Sequence, residues 1–135
     1  METFDVGCAI IHRGKELLIA RRHLDDSFGG YWEFPGGKRE EGETIEACLT
    51  REVREELDVR VRPHRFLSRK EVQASGRKLV LYFYLCEWQE GSPRAIDCLD
   101  HKWVSQTDIR GYQFLPGDLE VLQDLGLHWE EYFKS

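Results

Sequence analysis

Residues 37–59 read Gly37-Lys38-Arg39-Glu40-Glu41-Gly42-Glu43-Thr44-Ile45-Glu46-Ala47-Cys48-Leu49-Thr50-Arg51-Glu52-Val53-Arg54-Glu55-Glu56-Leu57-Asp58-Val59. The spacing predicts a helix over Thr44 to Leu57, with Thr44 as N-cap and Glu46 favourable in the first turn. At about 100° per residue, Ile45, Cys48, Leu49 and Val53 form its inward stripe. Glu52 and Glu56 fall at the angular positions of Ile45 and Leu49, and Glu55 falls beside Cys48. Three carboxylates are thus expected on a partly buried flank. Like charges at i, i+4 cost roughly 0.2–0.5 kcal/mol. Anions near the negative end of a helix dipole cost roughly 0.3–1 kcal/mol each. Either this is a solvated acidic helix end, or the cost is offset by a bound hard cation such as Mg²⁺ or Mn²⁺, which favours several carboxylate oxygens.

The flanking sequence favours the cation. Pro35-Gly36-Gly37 and Gly42 set a glycine-rich turn just before the helix, where backbone groups can approach a ligand closely. It is not a Walker A loop, because Trp32 stands where a glycine is required and Arg39 replaces the Ser/Thr. Further upstream, Val6 to Ile11 and Glu16 to Ala20 flank Arg13-Gly14-Lys15 and read as a hairpin. His23 to Gly30 reads as a mobile loop and Tyr31 to Phe34 as a short strand stopped by Pro35. Downstream, Arg60 to Arg69, Lys78 to Trp88 and Lys102 to Ser105 read as strands. The run Leu79 to Leu85 is apolar throughout, as in a central strand. Pro116 opens a second helix to about Leu125, ended by Gly126. This pattern implies a mixed α/β domain with helices on both faces of a sheet.

These residues resemble the Nudix box, G-x5-E-x7-R-E-U-x-E-E-x-G-U with U aliphatic. Gly37, Glu43, Arg51-Glu52-Val53, Glu55-Glu56 and Val59 match it. Asp58 stands where the family has glycine, a site that often adopts a left-handed turn, which Asp tolerates. Beyond the box, Arg21-Arg22, Trp32 to Lys38, Gly91-Ser92-Pro93, Asp97, Trp103-Val104-Ser105 and Phe114 to Asp118 are similar to the MutT-type branch. The resemblance implies one Nudix domain over residues 1–135, an α/β/α sandwich with a mixed β-sheet between helices.

It also implies roles. Glu52, Glu55 and Glu56 would bind Mg²⁺ or Mn²⁺, with the Gly36 carbonyl as a further ligand. Glu52 would activate or orient water, Arg51 would orient the glutamates, and Glu43 would stabilise the loop. Asp97 stands where the branch has an extra metal-binding acid, usually Glu, with Asp100 as a neighbouring substitute. Lys38, Arg22 and Arg77 would hold phosphates. Asp118 would read a base edge beside Glu33 and Phe34, with Phe28 and Tyr82 as further stacking surfaces. An ionised Asp only accepts hydrogen bonds, so it suits amino or imino donors. The implied activity is metal-dependent conversion of a nucleoside triphosphate, 8-oxo-dGTP or (d)CTP, to monophosphate and pyrophosphate. Nucleotide sugars or dinucleotides are the second substrate class, and a silent nucleotide-sensing module is a third reading. All three metal-binding glutamates are present, which speaks against the last.

Composition sets the outer limits. The 135 residues suit one domain with its own core. A net charge of −6 disfavours duplex nucleic acid as a partner; a small nucleotide bridged by metal remains open. No apolar run is long enough for a membrane span, and the first residues lack a signal-peptide pattern. The expected setting is the cytoplasm, as monomer or homodimer. Cys8, Cys48, Cys86 and Cys98 form no Cys-x-x-Cys pair and are expected to be buried free thiols. The five histidines show no zinc-ligand spacing with them.

Overall fold

A computed structural model describes residues 1–133. Its sheet is built around β1 (Thr3–Arg13) and β6 (Arg77–Glu90), which run parallel from Thr3↔Lys78 to His12↔Glu87. β5 (Arg60–Ala74) pairs antiparallel with the far side of β6. On its other side β1 pairs with β2 (Glu16–Arg21) and with β4 (Gly36–Lys38). β2 in turn carries β3 (Trp32–Glu33) and β7 (Asp100–Val104). The sheet is therefore mixed, with β6 central as its unbroken apolar run predicts. Its principal path is β3-β2-β1-β6-β5.

Strand alternation divides the interior in two. Ala9 and Ile11 of β1, with Leu18 and Ala20 of β2, face Leu49, Val53 and Leu57 of α1 (Ile45–Leu57). Cys8 and Ile10, with Leu17 and Ile19, face Val121, Leu125 and Trp129 of α2 (Leu119–Tyr132). The helices thus cover opposite faces of the sheet, the expected α/β/α sandwich. Among the described residues no helix is long and apolar enough to cross a membrane. All four cysteines are buried and free.

Several boundaries differ from the sequence reading. β5 and β6 form a hairpin that extends past Arg69 to Ala74↔Arg77, closed by Ser75 and Gly76, both with positive φ. Pro35-Gly36-Gly37 does not end regular structure, because Gly36–Lys38 pairs with Cys8, Gly7 and Val6. Pro116 opens a short 3-10 turn, Pro116–Asp118, and α2 begins only at Leu119. Gly126 does not end α2: Leu125, Trp129 and Phe133 are all buried at i, i+4 spacing, and that stripe carries the helix to Tyr132 across a kink at His128.

Candidate functional site

α1 starts as its sequence predicts. The Thr44 hydroxyl accepts from the Ala47 N–H at 3.1 Å. Its end is a left-handed Asp58 with φ 56°, whose N–H donates to the Arg54 carbonyl. An αL C-terminal residue usually is Gly; here Asp takes that conformation at the one place where the motif departs from the family pattern.

Arg51 lies at the centre of the site. Its Nε donates to Glu43 Oε2 at 2.6 Å and its Nη2 to Glu43 Oε1 at 2.9 Å, a bidentate pair. Its Nη1 donates to Glu52 Oε1 at 2.8 Å and Glu55 Oε2 at 3.2 Å, and its Nη2 also reaches the Lys38 carbonyl. One guanidinium therefore ties the loop before α1 to two of its glutamates. Glu43 accepts in addition from the Glu40 N–H, so its carboxyl is held down at about 2, chiefly by the hydrogen bonds from Arg51. The Arg51 guanidinium is correspondingly held well above its usual value by Glu43.

The three glutamates differ in environment. Glu56 is buried at 8% exposure, and its Oε2 accepts from the Gly36 N–H at 3.1 Å. Burial first, then the charges of Glu33 and Glu52, push its carboxyl up to about 9. Burial also raises Glu52, against the opposing pull of Arg51. The Glu52 carboxylate lies where a Cβ on Gly37 would stand, so any side chain at that position would displace it. Glu55 is different. It is exposed, so the expectation of three partly buried carboxylates is corrected to two, Glu52 and Glu56, with Glu55 at the wet rim.

Asp97 is joined to this group through the backbone. The N–H groups of Ile96 and Asp97 both donate to the Glu56 carbonyl, at 3.1 and 3.2 Å. Its exposed side chain meets His23 Nε2 at 3.1 Å. The Asp97 charge contributes to the field on Glu56. Asp100 instead accepts from the His101 N–H.

No three Asp, Glu, His or Cys side chains converge on one point among the described residues, because Glu52 and Glu55 are turned to Arg51 and Glu56 to the Gly36 amide. The donor set nevertheless fits a hard divalent cation. Two half-buried or buried carboxylates with raised pKa values sit within each other's field, an arrangement that a bound cation relieves directly.

A second cluster lies around β3. Asp118 is buried, and its Oδ2 accepts from the Phe34 N–H at 3.3 Å. Burial raises it to about 7, with Glu33 adding to the rise. Glu33 is itself raised by burial while Arg22 Nη1 donates to it at 3.0 Å. Arg22 Nε also holds the Ser27 carbonyl. The charge of Glu33 is felt by both Asp118 and Glu56, so β3 bridges the two clusters. The Phe34 ring is buried against Phe114 and Phe83, and only its backbone reaches Asp118. Phe28 is exposed, has φ 54° and packs edge-on against Tyr31. Tyr82 lies under Arg69. Lys38 Nζ sits 3.7 Å over the Phe4 ring and the Arg77 guanidinium 5.5 Å from the same ring, so both cations pack against Phe4.

Four residues take part in the site without a role there in the sequence reading. Arg39 bonds Asp5 and the Glu43 carbonyl, fastening the loop to β1. Phe4 gathers Lys38 and Arg77. Cys8 lies under the site, with Asp118, Glu33 and Glu56 all raising a thiol that burial already holds well above its usual value. His23 holds Asp97. Only the pairing of distant strands brings these together, and no local spacing announces it.

Comparison with known proteins agrees with this fold. The NUDIX domain profile matches residues 1–125. The chain is 30% identical over 126 residues to an 8-oxo-dGTP diphosphatase of Escherichia coli K12, covering 93% of this chain and 98% of that one. It is 30% identical over 123 residues to a CTP pyrophosphohydrolase of the same organism, with 91% of each covered. Among solved structures, a MutT NUDIX hydrolase from Burkholderia pseudomallei superposes with a TM-score of 0.81 at 23% identity, over 91% of this chain and 98% of that one.

Proposed function

The chain belongs to the Nudix family, and from that premise we propose that it is a nucleoside triphosphate pyrophosphohydrolase that releases a monophosphate and pyrophosphate. Its relatives of 30% identity, an 8-oxo-dGTP diphosphatase and a CTP pyrophosphohydrolase, point to triphosphates bearing an oxidised guanine or a cytosine. The observation that carries the reading is the pairing of Glu52 with the buried Glu56 beside the Gly36–Gly37 backbone.

Glu52, Glu55 and Glu56 would hold Mg²⁺ or Mn²⁺, with Gly36 and Asp97 beside them. A divalent ion there supplies charge neutralisation of the polyphosphate and acidification of water. Glu52, raised by burial and aligned by Arg51, accepts the proton of the attacking water. Arg51 keeps Glu52 and Glu55 in place through the loop contacts of Glu43. Lys38 and Arg77, gathered on Phe4, bind the phosphate tail. Arg22 fixes Glu33, and Asp118 faces the base edge with the Phe34 N–H. In its ionised form Asp118 accepts from amino or imino donors; protonated, it also donates. Phe34 contributes its backbone and the shape of the pocket floor. The work is done in the cytoplasm on small nucleotides.

The test is product analysis with millimolar Mg²⁺ or Mn²⁺ across 8-oxo-dGTP, dCTP, CTP, normal triphosphates, nucleotide sugars and dinucleotides. Monophosphate and pyrophosphate from the first three, abolished in Glu52→Gln with an unchanged circular dichroism spectrum, are the expected results. Turnover confined to nucleotide sugars or dinucleotides, or undiminished in Glu52→Gln, overturns the proposal.

A further inference from the structure

His12 and His64 are separated by 52 residues in the chain, yet their Nε2 atoms face each other at 2.7 Å. The contact spans β6, which lies between β1 and β5. A bulge makes it possible. The β5–β6 register shifts between Pro63↔Cys86 and Arg65↔Leu85, leaving His64 without a ladder partner and free to turn across the sheet. His12 is buried at 8% exposure on the α2 face, with the Phe133 ring 5.3 Å away, while His64 is exposed. Glu87 pairs with His12 in register and shares the face of Leu85, so its carboxylate belongs to the same side of the sheet. It is turned to Gln89 and Arg62.

We propose that His12 and His64 form a second metal site, for a transition ion of imidazole preference such as Zn²⁺ or Cu²⁺, separate from the glutamate cluster. Two neutral imidazoles aimed at one point, one from a buried strand and one from a bulge open to solvent, provide two nitrogen donors and an entry path. In the metal-free protein one Nε2 carries the hydrogen that bridges the pair; for a metal to bind, that ring passes to its Nδ1–H tautomer through solvent, so both rings stay neutral, both Nε2 lone pairs face the ion and the rings move slightly apart. Desolvation lowers the proton affinity of both rings, so at neutral pH neither has to lose a charge first. Glu87 does not meet the two rings in the metal-free protein; on metal binding it turns from Gln89 to become the third donor. Hard ions prefer oxygen and would leave this pair for the glutamates. The donors lie on strands that are not neighbours, so no linear spacing betrays them.

The site is tested on the full chain by calorimetric titration with Zn²⁺ in millimolar Mg²⁺, which occupies the glutamates, and by Cu²⁺ broadening of histidine ring signals. One equivalent of Zn²⁺ should bind with a rise in melting temperature. His64→Ala, at an exposed position, should abolish that binding and leave metal-free melting and Mg²⁺-supported turnover within twofold of the parent. His12 and His64 signals should broaden together and before those of His128. Undiminished Zn²⁺ uptake in His64→Ala, uptake lost in His128→Ala instead, or no uptake by the parent overturns the proposal. None of these results bears on the glutamate site, whose failure is read from Mg²⁺-dependent turnover.

Discussion

Glu56 is a carboxyl that burial pushes up to about 9, into its protonated form at neutral pH in the metal-free chain. Its folded value of about 9 stands above the ordinary 4.5, so the native state binds the extra proton between those limits. The associated stability is full below pH 4.5 and lost as pH rises through 9. In chelator, unfolding free energy should therefore fall from pH 6 to pH 9 by an amount on the order of a few kcal/mol, and melting temperature should fall with it. Glu56→Gln, neutral throughout, should flatten the alkaline slope; an equally steep slope in the variant would place its origin elsewhere. Asp118 gives the second prediction at this scale. Burial brings it to about 7, so its ionisation straddles neutrality. The ratio of kcat/KM for cytosine and oxidised-guanine nucleotides should shift between pH 6 and pH 8. In Asp118→Asn that ratio should be constant with pH, measured against the same substrates. Glu56 stands out in the 37–59 motif and Asp118 in the later Phe114 to Asp118 stretch, but the titration of neither does. It depends on Gly36, Phe34 and Glu33, which only folding brings near.

At the scale of elements, α1 was read correctly because its signals are local: a hydroxyl N-cap, a stripe of Cys48, Leu49 and Val53, and an αL-tolerant Asp58. Thr44→Ala should cost about 1 kcal/mol in denaturant midpoint analysis, the usual loss for such a cap. A larger functional loss follows from the clamp between α1 and the preceding loop. Lysine cannot reproduce the two parallel bonds to Glu43 together with those to Glu52, Glu55 and Lys38. Arg51→Lys should lower kcat at least tenfold (about 1.4 kcal/mol). It should also raise hydrogen exchange in residues 38–43 while α1 itself stays protected. Uniform exchange across loop and helix would contradict the clamp. The elements misread were those decided by distant partners. The tip of the β5–β6 hairpin carries few apolar residues, and its length comes from an uninterrupted ladder. The run of α2 past Gly126 comes from Trp129 and Phe133 entering the core.

For the molecule as a whole, two opposed titrations shape stability. Burial and His64 lower His12 from 6.5 to about 4. The unfolded chain then binds more protons between those values, so stability falls as pH drops from 6.5 toward 4. Glu56 works the other way over its range. Metal-free protein should accordingly show a melting maximum in mildly acidic solution. Saturating Mg²⁺ should remove the alkaline decline and spare the acid one, as scanning calorimetry can establish. A magnesium effect on the acid limb alone would reverse the assignment.

The two-faced β1 strand has one further consequence. Its even residues serve the α2 core, its odd ones serve the α1 core, and Cys8, Gly7 and Val6 set the position of Gly36 to Lys38. Loss of a single codon within 6–11 would exchange the tenants of both interiors and carry the glycine loop out of reach of its glutamates. Codons inserted between Ser75 and Gly76 meet only solvent at that hairpin end. Tolerance of length change along this gene should thus be sharply uneven, least where the chain is simplest in outline.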